Sequence, residues 1–166
     1  MRKVLATVEI DAPAEKVWEV LADFGNVQVF NPNVSRSYLT GTQPGGEGAT
    51  RHCDLAVAGA SIEERIVAWE EGRSYTIDIY DGVRNPFAKA VGTLTVDPID
   101  ESRSVAGMTI EWKGKGGVLS GLLDRGLVAQ NRKAVTRLLA GLKHHVETGN
   151  DVAARQPLDT TLVSIG

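Results

Sequence analysis

The chain holds a single cysteine, Cys53, among 166 residues. One thiol excludes an intramolecular disulfide and any cysteine-based zinc site. No apolar run approaches the roughly 20 residues needed to cross a bilayer as a helix. Lys and Arg number 18 against 21 Asp and Glu, and they form no long basic block. The net charge of -3 and this dispersal argue against a nucleic-acid partner. The Met1-Arg2-Lys3-Val4-Leu5-Ala6 start is charged, but Thr7, Glu9 and Asp11 interrupt its apolar stretch. No signal peptide is expected from that pattern, and the Asn33-Val34-Ser35 sequon is read as chance. There is no Gly-rich phosphate loop, no G-x-S-x-G elbow and no H-E-x-x-H. His144 and His145 are adjacent on a predicted helix and cannot share a face, so no metal pair is expected. No cofactor is expected either. The expectation is a reduced, cytoplasmic protein, a monomer or a weak homodimer.

Hydrophobic residues make up 42% and charged residues 23%, a globular composition. The length suits one domain with its own core. Residues 3–10 alternate, with Val4, Ala6, Val8 and Ile10 on one face, and predict a strand. Asp11-Ala12-Pro13 ends it and starts a helix with Val17, Val20, Leu21 and Phe24 at helical spacing. Gly25 and Asn31-Pro32-Asn33 break that segment into two short helices. Six strands follow, near 35–41, 49–57, 60–70, 73–80, 89–97 and 103–113, separated by Gly-rich and Pro-containing turns. Short turns between consecutive strands predict an antiparallel meander. A long helix is predicted over 118–147, with Leu119, Leu123, Leu127, Val135, Leu138, Leu142 and Val146 in one stripe. The class is α+β, a seven-stranded curved sheet with the helix packed on one face. Residues 1–148 form the expected domain, and 149–166 read as a mobile tail.

Between Leu127 and Val135, four residues from each, the stripe holds Asn131. A polar side chain there costs about 1–3 kcal/mol unless satisfied. It is either a core amide bonded to the sheet or a water, or an amide facing a ligand cavity. In the 61–69 strand Ile62, Glu64, Ile66 and Ala68 share one face. Glu63, Arg65, Val67 and Trp69 share the other. Tyr75, Ile77 and Ile79 share a face of the next strand, and Met108, Ile110 and Trp112 a face of the last. If these faces point inward, the interior joins apolar walls to a few polar groups, as small-molecule sites do.

Ile10-Asp11-Ala12-Pro13-Ala14-Glu15-Lys16-Val17-Trp18-Glu19-Val20-Leu21-Ala22-Asp23-Phe24 resembles the opening of the START-like superfamily of polyketide cyclases/dehydrases and lipid-transport proteins (SRPBCC). Phe30-Asn31-Pro32-Asn33-Val34 resembles its "W-x-P-x-(V/I)" segment, with Phe30 in the tryptophan place. Gly48-Ala49-Thr50-Arg51, Glu63-Glu64-Arg65-Ile66 and Ile110-Glu111-Trp112 are similar too. The resemblance spans roughly residues 3–147. It implies a helix-grip fold with an elongated cavity between sheet and C-terminal helix, its mouth flanked by loops near 56–60 and 81–88. It places Glu64 where hormone-receptor members carry a pocket glutamate, while the position of their pocket lysine falls near Ser35, which supplies no cation.

The expected ligand-binding residues are Glu64, Tyr75, Ile77, Met108, Ile110, Trp112, Leu123, Leu127 and Asn131. Glu64 and Tyr75 are the foremost candidates for acid–base chemistry, with Asp78, Glu111, Arg51 and His52 behind them. Burial could raise the Glu64 pKa into a useful range. Three functions stay open. One is binding or transport of a small apolar molecule such as a lipid, quinone or polyketide-like compound. The second is a cyclase, aromatase or dehydratase that uses a pocket carboxylate. The third is a ligand-responsive module that regulates a partner.

Overall fold

The computed structural model describes residues 1–115 and 120–166, with the backbone alone for 120–124. The predicted stripe position Leu119 and the side chain of Leu123 therefore lie outside the described residues.

Alternation of buried and exposed residues builds β1 (Arg2–Ile10), with Val4, Ala6, Val8 and Ile10 buried. Pro13 caps α1 (Ala14–Ala22), and no side chain bonds there. The Pro13 carbonyl accepts from the amides of Lys16 and Val17 instead. The helix buries Ala14, Val17, Trp18 and Leu21, so Trp18 belongs to the stripe where Val20 was expected. Val20 is half-buried at its edge. A kinked 3-10 segment, Phe24–Val29, follows as the second short helix.

The meander then runs through β2 (Val34–Leu39), β3 (Thr50–Leu55), β4 (Ser61–Glu70), β5 (Ser74–Asp81), β6 (Phe87–Pro98) and β7 (Ser104–Gly114). The helix α2 (Ser120–Thr148) comes next, and β8 (Ser164–Ile165) ends the order. Neighbouring strands are antiparallel, in the sequence β2-β3-β4-β5-β6-β7-β1-β8. The fold is thus the expected α+β curved sheet under a long helix, with one extra edge strand. The helix α2 packs chiefly against β1 and β7. Asn131, Val135, Leu138, Leu139, Leu142 and Val146 are buried along it.

Two readings need correction. First, a register shift between Ile66 and Ala68 interrupts the β4–β5 ladder. An extra residue reverses the alternation beyond it. Ala68 therefore pairs with outward-facing Thr76 and is exposed, while Trp69 pairs with buried Tyr75. Second, residues 149–166, expected as a mobile tail, pack back on the domain. Val152 and Val163 are buried. The amide of Val152 donates to Val29 O (2.8 Å), that of Arg155 to Pro32 O (2.9 Å) and that of Gly166 to Leu5 O (2.9 Å). Two isolated valines carry too little periodicity to announce this in sequence, and the backbone bonds leave no sequence trace.

Candidate functional site

Strand register arranges the inner face of the sheet in rows. Tyr75, Leu94, Met108 and Ala6 are successive partners across β5, β6, β7 and β1. Ile77, Gly92, Ile110 and Val4 form the next row, and Ile79, Ala90 and Trp112 a third. All the side chains of these rows that sequence reading proposed for the site are buried. Asn131 is buried on α2, and Leu127 is half-buried against the core. Leu123 cannot be placed, since its side chain lies outside the described residues.

Glu64 is buried and points inward, but it does not stand alone. Arg51 lies opposite it in the β3–β4 ladder and is also buried. Arg51 Nε donates to Glu64 Oε2 at 2.5 Å, and Arg51 Nη1 donates to Phe24 O at 2.8 Å. The guanidinium carbon sits 4.0 Å from the Phe24 ring centroid. Burial by itself would lower the Arg51 pKa, yet the groups around it, Glu64 foremost and then Cys53 and Tyr75, together outweigh it and keep the guanidinium charged. Cys53 Sγ contacts the same Glu64 oxygen at 3.6 Å. Burial first, and then the adjacent carboxylate, push the thiol far above its ordinary range, so Cys53 is inert.

Tyr75 is enclosed by aromatic rings. It stacks on Trp69 at 5.7 Å and meets Phe24 edge-on at 6.0 Å. Trp18 packs edge-on against Trp69 at 4.9 Å. Glu71 clamps both indoles, accepting from Trp18 Nε1 at 2.8 Å and Trp69 Nε1 at 2.7 Å. These two donors, that of Trp18 first, lower the Glu71 pKa. Burial raises the Tyr75 phenol above its ordinary value.

Three of the proposed side chains share one property. Tyr75 Oη, Trp112 Nε1 and Asn131 Nδ2 are buried and find no acceptor among the described residues. Each can donate a hydrogen bond. They come from β5, β7 and α2, which are two strands of the sheet and the helix that covers it. Tyr75 and Trp112 sit two rows apart, about 13 Å along the strands at the usual rise per residue.

The remaining acid–base candidates lie on the outer face. Asp78 faces Arg65 at 3.5 Å, and Glu111 faces Lys3 at 3.6 Å. His52 contacts Glu63 through Nδ1 and Asp54 through Nε2 (3.0 Å). Sequence reading missed Arg51 as the partner of Glu64, and it missed the Trp18–Trp69–Glu71 clamp. Antiparallel register across the 56–60 turn could have paired Arg51 with Glu64, whereas the clamp depends on the β4 irregularity. The loops expected at a cavity mouth meet each other: Ser61 N donates to Val83 O (3.1 Å) and Arg84 Nη1 to Ala58 O (3.2 Å).

Solved structures with the same fold include the protein XoxI from Bacillus cereus, 20% identical, with a TM-score of 0.73 over 88% of this chain and 96% of that one. A START superfamily protein from Mycobacterium smegmatis is 16% identical, with a TM-score of 0.71 over 90% of this chain and all of its own, 100%. The di-domain ARO/CYC BexL of the BE-7585A biosynthetic pathway is 20% identical, with a TM-score of 0.69 over 89% of this chain and 47% of that one. At such identities the likeness is one of fold. No curated protein matches the sequence. A family model described as polyketide cyclase / dehydrase and lipid transport matches residues 1–147, and the chain belongs to that family.

Proposed function

We propose that the chain binds and carries a small, largely apolar molecule that presents hydrogen-bond-accepting oxygens, such as a quinone or polyketide-like compound, between the sheet and α2. The observation that carries this reading is the set of buried donors on Tyr75, Trp112 and Asn131 that find no acceptor among the described residues. Each unpaired buried polar group costs about 1–3 kcal/mol, so an occupant with acceptor oxygens gains where a plain hydrocarbon does not. The spacing of Tyr75 and Trp112 suits an elongated occupant. Glu64 is the buried carboxylate among the described residues, and Arg51 already engages it. That engagement favours carriage over acid–base catalysis, because a proton-transfer role needs a carboxylate free to meet the substrate.

The test is native mass spectrometry of protein from its own host, followed by thermal melts with a naphthoquinone and with an alkane of similar size. We expect a mass that is lost on denaturation, and a rise in melting temperature with the quinone that exceeds the rise with the alkane. Asn131→Leu should weaken quinone binding about tenfold, or roughly 1.4 kcal/mol, while leaving the ligand-free melt no lower. Equal binding of quinone and alkane, or unchanged quinone affinity in Asn131→Leu, overturns the reading.

A further inference from the structure

A concavity lies on the face of α2 away from Asn131, where the C-terminal segment folds back over the helix. This groove has a volume of about 490 Å³. Arg132, Lys133 and Arg137 line it from the helix, and Arg155, Pro157 and Leu158 from the returning segment. Among the described residues no carboxylate lines it. Among the described residues Arg132, Lys133 and Arg137 have no ion-pair partner, whereas Lys143 on the same helix is paired with Glu147 at 2.7 Å. Asp159, the nearest acidic residue along the segment, is occupied by the amide and hydroxyl of Thr161. Four cations in one concavity run against the net charge of -3 of the whole chain.

The position of Arg155 is set by the fold. Its side chain donates to Ala56 O through Nε (2.9 Å) and Nη2 (2.5 Å), and its amide donates to Pro32 O. Its φ of 62° lies in the left-handed region, uncommon for a residue with a side chain. The helix wall of the groove lies within the family match, which ends at residue 147, and its outer wall follows that residue.

We propose that this groove binds a phosphate group carried on a partly apolar molecule. The guanidiniums of Arg132 and Arg137 present planar forks that match phosphate oxygens bidentately, and Arg155, whose Nε–Nη2 edge serves Ala56 O, adds its charge. A phosphomonoester brings a charge of about -2, which balances this cluster better than a single carboxylate. Pro157 and Leu158 supply the wall against which an apolar substituent packs. The source of the phosphate is a free phosphorylated metabolite or a lipid headgroup, and both share this chemistry.

The test uses the full chain with octyl phosphate, inorganic phosphate and octanol at constant ionic strength, followed by calorimetry and by the NMR signals of arginine, aromatic and amide side chains. A parallel arm measures retention on vesicles containing phosphatidate. We expect saturable binding of octyl phosphate, tighter than that of inorganic phosphate, with shifts at Arg132 and Arg137. The Arg132→Gln/Arg137→Gln variant should bind at least tenfold more weakly with an unchanged melting temperature, and Lys133→Glu should weaken binding in the same direction. Retention on vesicles that these variants abolish, without binding of free octyl phosphate, also supports phosphate recognition and assigns a lipid headgroup as its source. Octanol binding as tightly as octyl phosphate overturns the proposal. So does undiminished binding by the variants, or a set of shifts confined to Tyr75, Trp112 and Asn131.

Discussion

Arg51 and Glu64 have exchanged water for each other, and that exchange makes each hostage to its partner. Breaking a buried ion pair strands a charge and costs about 3–5 kcal/mol, whereas replacing both members with apolar residues is often nearly neutral. Arg51→Met should therefore lower the unfolding free energy by about 3–5 kcal/mol in urea titrations. Adding Glu64→Leu should recover most of that loss. Additive losses in the double variant would show that the pair is not coupled. On the outer face, His52 lies between Asp54 and Glu63 and stacks on Tyr38 at 5.1 Å. Hydrogen bonding to Asp54, then to Glu63, raises its pKa above the ordinary 6.5. The folded state thus holds this proton more tightly than the unfolded chain. The resulting stabilisation is complete below 6.5 and is lost as pH rises through the elevated folded value. Imidazole NMR titration should give a midpoint above 6.5, and His52→Asn should remove the corresponding decline in stability. A midpoint at or below 6.5 would refute this account.

The segment joining the 3-10 turn to β2 acts as a seat for α2. Asn33 Nδ2 donates to Ala134 O on the helix at 2.8 Å, and Asn31 Oδ1 accepts from Asn33 N at 3.0 Å. About two turns further along, the Phe30 carbonyl approaches the helix at Gly141. A Cβ built there would lie 2.0 Å from Phe30 O and 3.0 Å from Pro32 Cδ. Neither neighbour can swing aside, because one is main chain and the other is a ring. Alanine normally favours a helix interior over glycine by about 1 kcal/mol. Here overpacking reverses the sign, and Gly141→Ala should destabilise the fold by about 1–3 kcal/mol. A chemical denaturation midpoint that is unchanged or higher at the same slope would sink that assignment. The resemblance noticed in Phe30-Asn31-Pro32-Asn33-Val34 thus has a structural basis: these residues set how closely the helix approaches the sheet, and so the space beneath it.

Across the molecule, the last residues close what the family-matched domain leaves open. The β8 strand covers part of the β1 edge through Ala6 and Thr7, opposite Ile165 and Ser164. An uncovered strand edge is a template for pairing with another chain. Ending the chain after Thr148 should lower stability by about 3 kcal/mol, the value of two buried valine side chains. It should also promote self-association, read by light scattering on heating. A truncated chain that melts like the full one and stays monodisperse would mean that this segment contributes nothing to the domain. The same truncation removes one wall of the basic groove, which links the proposed phosphate site to this part of the chain.

Period-2 alternation in β1, the turn residues between strands and the apolar stripe of α2 were legible because local geometry imposes them whatever the neighbours are. The family could be read from the Ile10–Phe24 and Phe30–Val34 segments and three shorter ones, and Asn131 stood out because a polar residue in an apolar stripe needs a reason. Glu64 and Tyr75 were visible as inward candidates by strand parity. What they do was not visible, since partnership across strands depends on register. Register brought Arg51 onto Glu64. An irregularity of one residue in β4 turned Trp69 toward Tyr75 and Ala68 away. The folding back of 149–166, with the basic groove it creates, rests on main-chain hydrogen bonds that any side chain permits. Such contacts between residues far apart in the chain arise from packing and shape, and no local pattern of amino acids encodes them.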